Sequence, residues 1–240
     1  MKPLIYGHRG SPFKAPENTI ASIKKALEDG CEAVEIDVRK TKDNKIVVIH
    51  DIRVDRTANG KGFVSDFALN ELKKLSFNGE KIPTLNEVID FVDARKSKIF
   101  GTNSVGKKAV IIIELKEENL EKDIIKIIEK NGFLDKAIII SFYHKLIKNI
   151  KESNKKIKTG ILLVGKPIDT VELAQEAEAD YLFLNYAFVD KELVSKAHKN
   201  NLKVYVWNID AIKDLEEMLK LNVDGIGSNK PELIVGYFKK

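Results

Sequence analysis

The chain of 240 residues is long enough for one large domain or two small ones with a substantial hydrophobic core. Hydrophobic residues make up 43% of it, a level typical of globular proteins, which excludes a largely disordered chain. The net charge of +5 comes from basic residues interleaved with acidic ones. Because no long basic block is present, we expect no nucleic-acid partner.

Cysteine content and hydropathy indicate in which cellular compartment the protein is expected. Cys31 is the only cysteine, so neither an intramolecular disulfide nor a cysteine-ligated zinc or iron–sulfur site can form. Residues 1–8 become polar too early for a signal peptide. The longest apolar runs, such as residues 109–113, are far below the ~20 residues of a membrane span. We therefore expect a cytoplasmic protein without stable membrane insertion.

Apolar strands and amphipathic helices alternate along most of the chain. The first predicted strand covers residues 4–6, a helix follows from residues 17–19 to Gly30, and a second strand covers residues 33–38. Five strand–helix pairs follow residue 108, with strands at 109–115, 137–141, 159–164, 181–184 and 203–207 and helices at 118–129, 144–151, 170–177, 191–198 and 211–219. A short strand at 224–227 and a helix from Pro231 end the chain.

Residues 39–108 interrupt this alternation. The apolar run at 46–49 is a ninth strand candidate, either an extension of the second strand or a third strand of the main sheet. Residues 52–82 have the character of an insertion, with a short helix near residues 70–75. Thr84 and Glu87 have the spacing of a capping box that opens a helix. Residues 95–108 form a predicted polar loop of unknown role.

Repeated strand–helix units predict a parallel sheet with right-handed crossovers. About eight units in a chain of this length favour an α/β protein of the (β/α)8 TIM-barrel class. The alternative is an open doubly wound sheet, whose glycine-rich first turn is not matched by Gly7-His8-Arg9-Gly10. We predict one TIM-barrel domain over residues 1–240, with a small insertion at 52–82 after the second strand region.

Polar residues follow several of the predicted strands, at the barrel face where active sites of this fold lie. Glu35 and Asp37 stand two apart in an apolar strand, so their side chains share one face, opposite Val34 and Ile36. The other candidates at strand ends are His8, Arg9, His50, Asp51, Glu114, Lys116 and Trp207. His144 and His198 stand in predicted helices and are interpreted as surface residues.

Each of these positions also has a purely structural interpretation. Glu35 and Asp37 could face solvent and pair with Lys40 or Lys42, and Trp207 could serve packing alone. Their convergence on one rim favours chemistry, because three carboxylates without cysteine suit a hard divalent cation, Mg²⁺ or Ca²⁺. An arginine fork matches phosphate oxygens, and two histidines can supply a proton donor and a proton acceptor. Such a set is suited to phosphodiester cleavage.

The ordered motifs resemble those of the glycerophosphodiester phosphodiesterases over residues 4–236. They are His8-Arg9-Gly10, Pro16-Glu17-Asn18-Thr19, Glu35-Ile36-Asp37-Val38, His50-Asp51, Glu114-Leu115-Lys116 and Val206-Trp207-Asn208. The resemblance implies a barrel enzyme that hydrolyses glycerophosphodiesters to an alcohol and glycerol 3-phosphate through a cyclic phosphate. Its partner would be this small-molecule substrate, and the oligomeric state stays open.

The resemblance also implies a role for each matching residue. Glu35, Asp37 and Glu114 would bind one divalent cation, while His8 and His50 would form the acid–base pair. The phosphate would contact Arg9 and Lys116, and the glycerol side would be lined by Trp207. Glu17, Asn18 and Asp51 would organise the surrounding loops. Near the last strand many members carry Thr-Asp, and this chain has Ser228-Asn229 instead, which predicts the loss of one carboxylate from the rim.

Two other functions remain open from the sequence. A lysophospholipase-D-like enzyme would need an apolar groove, for which the insertion offers Phe63, Phe67, Leu69, Leu72 and Leu75, although packing within the insertion also explains them. Comparing turnover of glycerophosphocholine and lysophosphatidylcholine would separate these two enzymes. A barrel that binds phosphodiesters without cleaving them is the third interpretation, and it is disfavoured because both histidines and all three acids are present.

Overall fold

The structure is a computed structural model that describes residues 2–94 and 109–239. Its strands are β1 (Leu4–Gly7), β2 (Ala33–Lys40), β3 (Ile46–Val48), β4 (Val110–Leu115), β5 (Ala137–Ser141), β6 (Lys158–Leu163), β7 (Tyr181–Asn185), β8 (Lys203–Trp207) and β9 (Gly225–Ser228). Its α-helices are α1 (Ile20–Asp29), α2 (Leu69–Leu72), α3 (Leu85–Ala94), α4 (Glu121–Lys130), α5 (His144–Ser153), α6 (Thr170–Glu176), α7 (Lys191–Lys199), α8 (Ile212–Leu221) and α9 (Pro231–Tyr237).

Eight of the strands form a closed parallel barrel. The strands β4 to β9 pair consecutively, β2 pairs with β4, and β1 closes the circle by pairing with both β2 and β9. The predicted TIM barrel is therefore confirmed, and the open doubly wound sheet is excluded. Within the described part of the chain, no helix is both long and apolar enough to cross a membrane.

The run at residues 46–49 is not a barrel strand. β3 pairs only with β2, antiparallel, with Val38 opposite Val48 and Lys40 opposite Ile46. The turn between the two strands places Asn44 at a φ of 58°, a left-handed conformation that asparagine tolerates. This hairpin therefore extends β2 beyond the barrel and leads the chain into the insertion.

Helix boundaries follow local side-chain chemistry. Thr19 caps α1, because its hydroxyl accepts a hydrogen bond from the Ser22 backbone, so the helix begins slightly later than predicted. The predicted capping box is present before α3, where Thr84 and Glu87 exchange side-chain to backbone hydrogen bonds. The helix predicted from residue 118 begins at Glu121, because Asn119 adopts a φ of 64° that a helix excludes. The loop predicted at 95–108 lies outside the described residues.

Apolar residues pack on both sides of the barrel wall, one layer between the strands and the helices and the other inside the barrel. Outward-facing strand residues such as Val34, Ile36 and Val38 pack against the helices. The inner layer fills the barrel with Tyr6, Ala33, Ile112, Ile138, Ile140, Leu162, Tyr181, Phe183 and Tyr205. Since strand residues alternate, Glu35 and Asp37 point inward like Ala33, as the sequence predicts.

The insertion has a small core of its own beside β3. Val54, Val64, Leu72, Phe77 and Ile82 are buried there together with two residues of the hairpin, Val47 and Ile49. Phe67, Leu69 and Leu75 pack against the same cluster, and Phe63 lies partly exposed beneath the Arg53 guanidinium. The apolar residues of the insertion therefore mainly stabilise the insertion itself.

The inner layer makes Gly227 intolerant of a side chain. A Cβ at this position would lie 2.4 Å from the ring of Tyr6, which is almost fully buried. We expect Gly227→Ala to lower the free energy of unfolding by about 1–3 kcal/mol, because the Tyr6 ring, which packs against Phe183 and Tyr205, would have to shift. Urea denaturation would measure the change.

Gly236 is the matched control, because a Cβ there meets no atom within 4 Å and the residue lies in α9. We expect Gly236→Ala to leave the stability unchanged or to raise it by up to about 1 kcal/mol, since alanine favours helix. Equal losses for the two variants would contradict the tight packing inferred around Tyr6.

Candidate active site

Strand register brings three carboxylates together at the C-terminal end of the barrel. Asp37 of β2 pairs with Glu114 of β4, and Glu35 lies one step earlier on the same inward face. Each residue offers an oxygen atom, and these atoms lie within 4.8 Å of one another. All three residues are buried, with exposed fractions of 3% for Glu35, 0% for Asp37 and 6% for Glu114. The sequence prediction that these acids meet is therefore correct in geometry.

Burial and mutual repulsion make this cluster electrostatically demanding. Burial, with the neighbouring Asp37 and Glu114 charges, raises the pKa of Glu35 well above its usual range. Burial and the Asp37 charge also raise the pKa of Glu114 to about 7. Burial would raise the pKa of Asp37 as well, but the positive charges of Arg9 and Lys116 outweigh it and hold that pKa below its usual range.

The cluster fits a divalent cation better than it fits the two protein cations alone. Lys116 Nζ lies 2.6 Å from Glu114 Oε1, and Arg9 Nε lies 3.2 Å from Asp37 Oδ2. Glu35 Oε1 and Asp37 Oδ1 are nevertheless buried without a hydrogen bond from any residue in the described ranges, although Lys116 Nζ lies 3.7 Å from Asp37 Oδ1. Buried carboxylate oxygens without hydrogen bonds are costly, and an all-oxygen donor set suits a hard ion such as Mg²⁺ or Ca²⁺.

The loop after β1 is shaped to reach this cluster. Arg9 adopts a φ of 55°, which turns its backbone N–H toward Glu35 Oε2 at 3.0 Å. Asn18, at a φ of 58°, donates from Nδ2 to Asp37 Oδ2 at 2.7 Å and accepts from the Asp37 backbone at 3.2 Å. Gly10 is needed between them, because its φ is 86° and a Cβ would lie 2.5 Å from Ser22. Asn18 therefore holds the loop against the carboxylates.

His50 is held by a chain of polar contacts that begins in the insertion. Its Nδ1 lies 2.7 Å from Asp51 Oδ1, and Arg56 Nε donates to Asp51 Oδ2 at 2.6 Å. The other two nitrogen atoms of Arg56 donate to Glu17, each at 2.8 Å, and Glu17 also accepts from Arg9. Arg56 therefore connects the two site loops. The sequence analysis missed it because no motif marks its position.

His8 is anchored from the other end of the chain. Its Nδ1 lies 2.8 Å from Asn229 Oδ1, and its Nε2 lies 4.0 Å from Glu35 Oε2. Burial and the Arg9 charge lower the pKa of His8 to about 4. Ser228-Asn229 places an amide where many family members carry a carboxylate, and Asp210, after β8, accepts hydrogen bonds from Asn229 at 2.7 Å.

A cavity of about 180 Å³ opens over these groups at the mouth of the barrel. Its lining combines ionisable side chains with apolar, largely aromatic ones. Its lining residues are Tyr6, His8, Arg9, Glu35, His50, Glu114, Lys116, Ile140, Phe142, Leu162, Phe183 and Trp207. Trp207 packs edge-on against Phe142 with ring centroids 6.2 Å apart, so it contributes both to packing and to the cavity wall.

The other two histidines lie outside this cavity. The His198 side chain is partly exposed, and its Nε2 lies 2.8 Å from Asp224 Oδ2 near the start of β9, so this residue lies at the surface and has a structural partner. His144, the first residue of α5, contacts the Leu162 carbonyl oxygen at 2.9 Å through Nε2. Both histidines therefore have structural contacts, while His8 and His50 face the same cavity.

Comparison with known proteins agrees with this geometry. A family model described as "Glycerophosphoryl diester phosphodiesterase family" matches residues 8–233. The chain belongs to this family. Among curated relatives, the glycerophosphodiester phosphodiesterase of Caldanaerobacter subterraneus subsp. tengcongensis is 38% identical, over 100% of this chain and 99% of that protein. The predicted family resemblance is thereby confirmed.

Solved structures of this family share the barrel. The glycerophosphodiester phosphodiesterase of Thermotoga maritima has 27% sequence identity and a TM-score of 0.79, with 99% of each chain covered. An Oleispira antarctica phosphodiesterase, solved in complex with the product sn-glycerol-3-phosphate, has 25% identity and a TM-score of 0.87, with 99% and 97% covered. The chain is therefore an enzyme of the phosphoric diester hydrolase class.

The contact between Arg56 and Asp51 gives a measurable electrostatic prediction. A hydrogen bond from Arg56, and to a smaller extent one from His50, holds the pKa of Asp51 below its usual range. We expect Arg56→Ala to raise that pKa toward the ordinary value of about 3.9. Carboxyl ¹³C NMR during an acid titration would measure the shift, with Arg53→Ala as control because Arg53 pairs with Asp55 instead.

The sign of the linked stability change follows from the depressed pKa. A carboxylate of this kind stabilises the folded state above its unfolded pKa, and the contribution is lost as pH falls through the folded pKa. The unfolding free energies of the wild type and Arg56→Ala should therefore begin to converge as pH falls below about 4, and convergence is complete only below the folded pKa of Asp51. An unchanged Asp51 titration in Arg56→Ala would show that Arg56 does not control this carboxylate.

Proposed function

We propose that this enzyme hydrolyses glycerophosphodiesters to glycerol 3-phosphate and an alcohol, using one divalent cation and the pair His8 and His50. The observation that carries the proposal is the buried cluster of Glu35, Asp37 and Glu114, two of which, Glu35 and Glu114, line the same cavity as both histidines. The product bound to the related Oleispira antarctica phosphodiesterase supports this substrate class.

Glu35, Asp37 and Glu114 would hold the cation, Mg²⁺ or Ca²⁺. When bound, it would neutralise negative charge on the phosphoryl oxygens. The cation would also relieve the repulsion that raises the pKa values of Glu35 and Glu114. With the carboxylates bound to the cation, the ammonium of Lys116 is available to a phosphate oxygen of the substrate.

The remaining cavity residues would orient the diester. Arg9 offers a planar guanidinium, already held by Glu17 and Asp37, that matches phosphate oxygens. The apolar side chains of Phe142, Phe183 and Trp207 would contact the carbon atoms of glycerol. Together, the charged and the apolar side chains of the cavity would place the phosphorus atom near the histidines.

The histidines would move protons during a two-step reaction. One histidine accepts the proton of the neighbouring glycerol hydroxyl while its oxygen bonds to phosphorus, and the other protonates the oxygen of the departing alcohol. This step leaves a cyclic glycerol phosphate. Water then opens the ring with the two proton transfers reversed, which restores both histidines and yields glycerol 3-phosphate.

Removal and return of the cation test the first part of the proposal. We expect chelation to abolish release of glycerol 3-phosphate from glycerophosphocholine, and Mg²⁺ or Ca²⁺ to restore it. Glu114→Gln should weaken cation binding, measured by calorimetry, by more than the roughly 10-fold loss that outer contacts of metal sites cause. Glu117→Gln is the matched control, because Glu117 stands three residues after Glu114 and contacts Arg39 and the Lys40 backbone instead of the carboxylate cluster. Full activity after chelation would exclude the cation.

Single histidine variants test the acid–base pair. We expect His8→Ala and His50→Ala each to lower kcat/KM by roughly a hundredfold or more, because each removes one proton transfer. The double variant should be little worse than either single variant, since the two residues act as a unit. His198→Gln is the control, because His198 contacts Asp224 away from the cavity. His50→Ala with undiminished turnover would support a barrel that does not use this histidine.

A further inference from the structure

The hydrogen-bonded chain behind His8 consists of residues to which no function has been assigned so far. Asn229, the first residue after β9, approaches Nδ1 of His8 with its Oδ1 atom at 2.8 Å. Asp210 stands on the other side of Asn229 and accepts hydrogen bonds from Asn229 Nδ2 and from the Asn229 backbone N–H, both at 2.7 Å. Ser228 Oγ donates to the same Asp210 carboxylate at 3.0 Å.

The chemistry of these partners determines which way the amide of Asn229 faces. A carboxylate accepts hydrogen bonds and the amide NH₂ donates them, so Nδ2 must face Asp210. The amide oxygen is then the atom directed at His8. Since this oxygen carries no proton, the contact is a hydrogen bond only when Nδ1 of His8 bears one.

We propose that Asn229, locked by Asp210, is a positioning residue that holds neutral His8 in the tautomer with the proton on Nδ1. Nε2 then presents its lone pair to the cavity and is the atom that takes up and returns the substrate's proton. The inference rests on the proposed function in one respect, because it assumes that His8 exchanges a proton during turnover.

The pairing differs from that of His50 in a way that suits the local charge. His50 meets a carboxylate, Asp51, whereas His8 meets a neutral amide and lies 4.0 Å from Glu35 in the acidic cluster. An amide can fix the tautomer without placing a further negative charge directly on the ring beside that cluster. Asp210 supplies the orientation from one residue farther away.

Reversing the pair separates orientation from mere packing. Asn229→Asp places two carboxylates against each other without a donor between them, and Asp210→Asn removes the constraint that turns the Asn229 oxygen toward His8. Both changes together restore the order of donor and acceptor, because an amide at position 210 can donate to a carboxylate at position 229. That carboxylate can in turn accept from Nδ1 of His8.

The experiment measures kcat, KM and the ¹⁵N NMR shifts of the His8 ring in the cation-loaded enzyme. We expect Asn229→Ala, Asn229→Asp and Asp210→Asn each to lower kcat by about 10- to 100-fold, with little change in KM. In the wild type and in the double variant, neutral His8 should carry its proton on Nδ1. In Asn229→Ala and in Asp210→Asn the Nε2–H form should appear, and the double variant should recover part of the lost kcat.

Asn185→Ala is the matched control, because Asn185 also ends a barrel strand and its side chain accepts a hydrogen bond only from the nearby Ala187 backbone among its described contacts. It should leave kcat and the His8 tautomer unchanged. An Nδ1–H tautomer in both Asn229→Ala and Asp210→Asn, or a folded double variant as slow as the single ones, would overturn the proposal.

The tautomer measurement needs no substrate, so it also separates this inference from the proposed reaction. Should the single variants fail to fold, the double variant decides the matter by its tautomer and its kcat. A wild type in which neutral His8 carries its proton on Nε2 refutes the positioning role whether or not the enzyme turns over glycerophosphodiesters.

Discussion

Burial of three carboxylates within reach of one another is the constraint on which the rest of the site depends. Removing them from water is unfavourable, and their mutual repulsion adds to that cost. The barrel makes the arrangement possible because the pairing of β2 with β4 places Asp37 beside Glu114 on a rigid wall. Arg9 and Lys116 offset part of the charge, and two carboxylate oxygens have no hydrogen bond from the described residues. The repulsion among the acids is therefore the property that would favour a bound cation.

The second organising feature is that both cavity histidines are held through Nδ1, His50 by the adjacent Asp51 and His8 by Asn229 from the other end of the chain. The insertion contributes Arg56, which binds Asp51 beside His50, and the end of the chain contributes Asn229 beside His8. The small apolar core of the insertion, which includes Leu72 and Phe77, stabilises the segment that carries Arg56. Regions that line no part of the cavity thus determine how the ring nitrogens are presented to it.

The sequence was informative where a feature depends on local periodicity. The alternation around Glu35 and Asp37 correctly separated inward from outward residues, and the repeated strand–helix units correctly gave the barrel. The role of β3 stayed open because a short apolar run does not reveal its pairing partner. Arg56 and Asp210 were missed, and the contact of His198 with Asp224 was not predicted, because these contacts join residues that are distant in the sequence and leave no mark on the neighbouring residues.

The closure of the barrel between β1 and β9 has a consequence for how the site comes into being. His8 leaves the first strand, and Asn229 leaves the last, and the two meet only because β1 and β9 are neighbours. During synthesis, nearly the entire polypeptide must emerge before this seam can form. A nascent or nicked chain whose final strand has not docked would still contain the strands that carry Glu35, Asp37 and Glu114. It would lack the contact between Asn229 and the imidazole of His8.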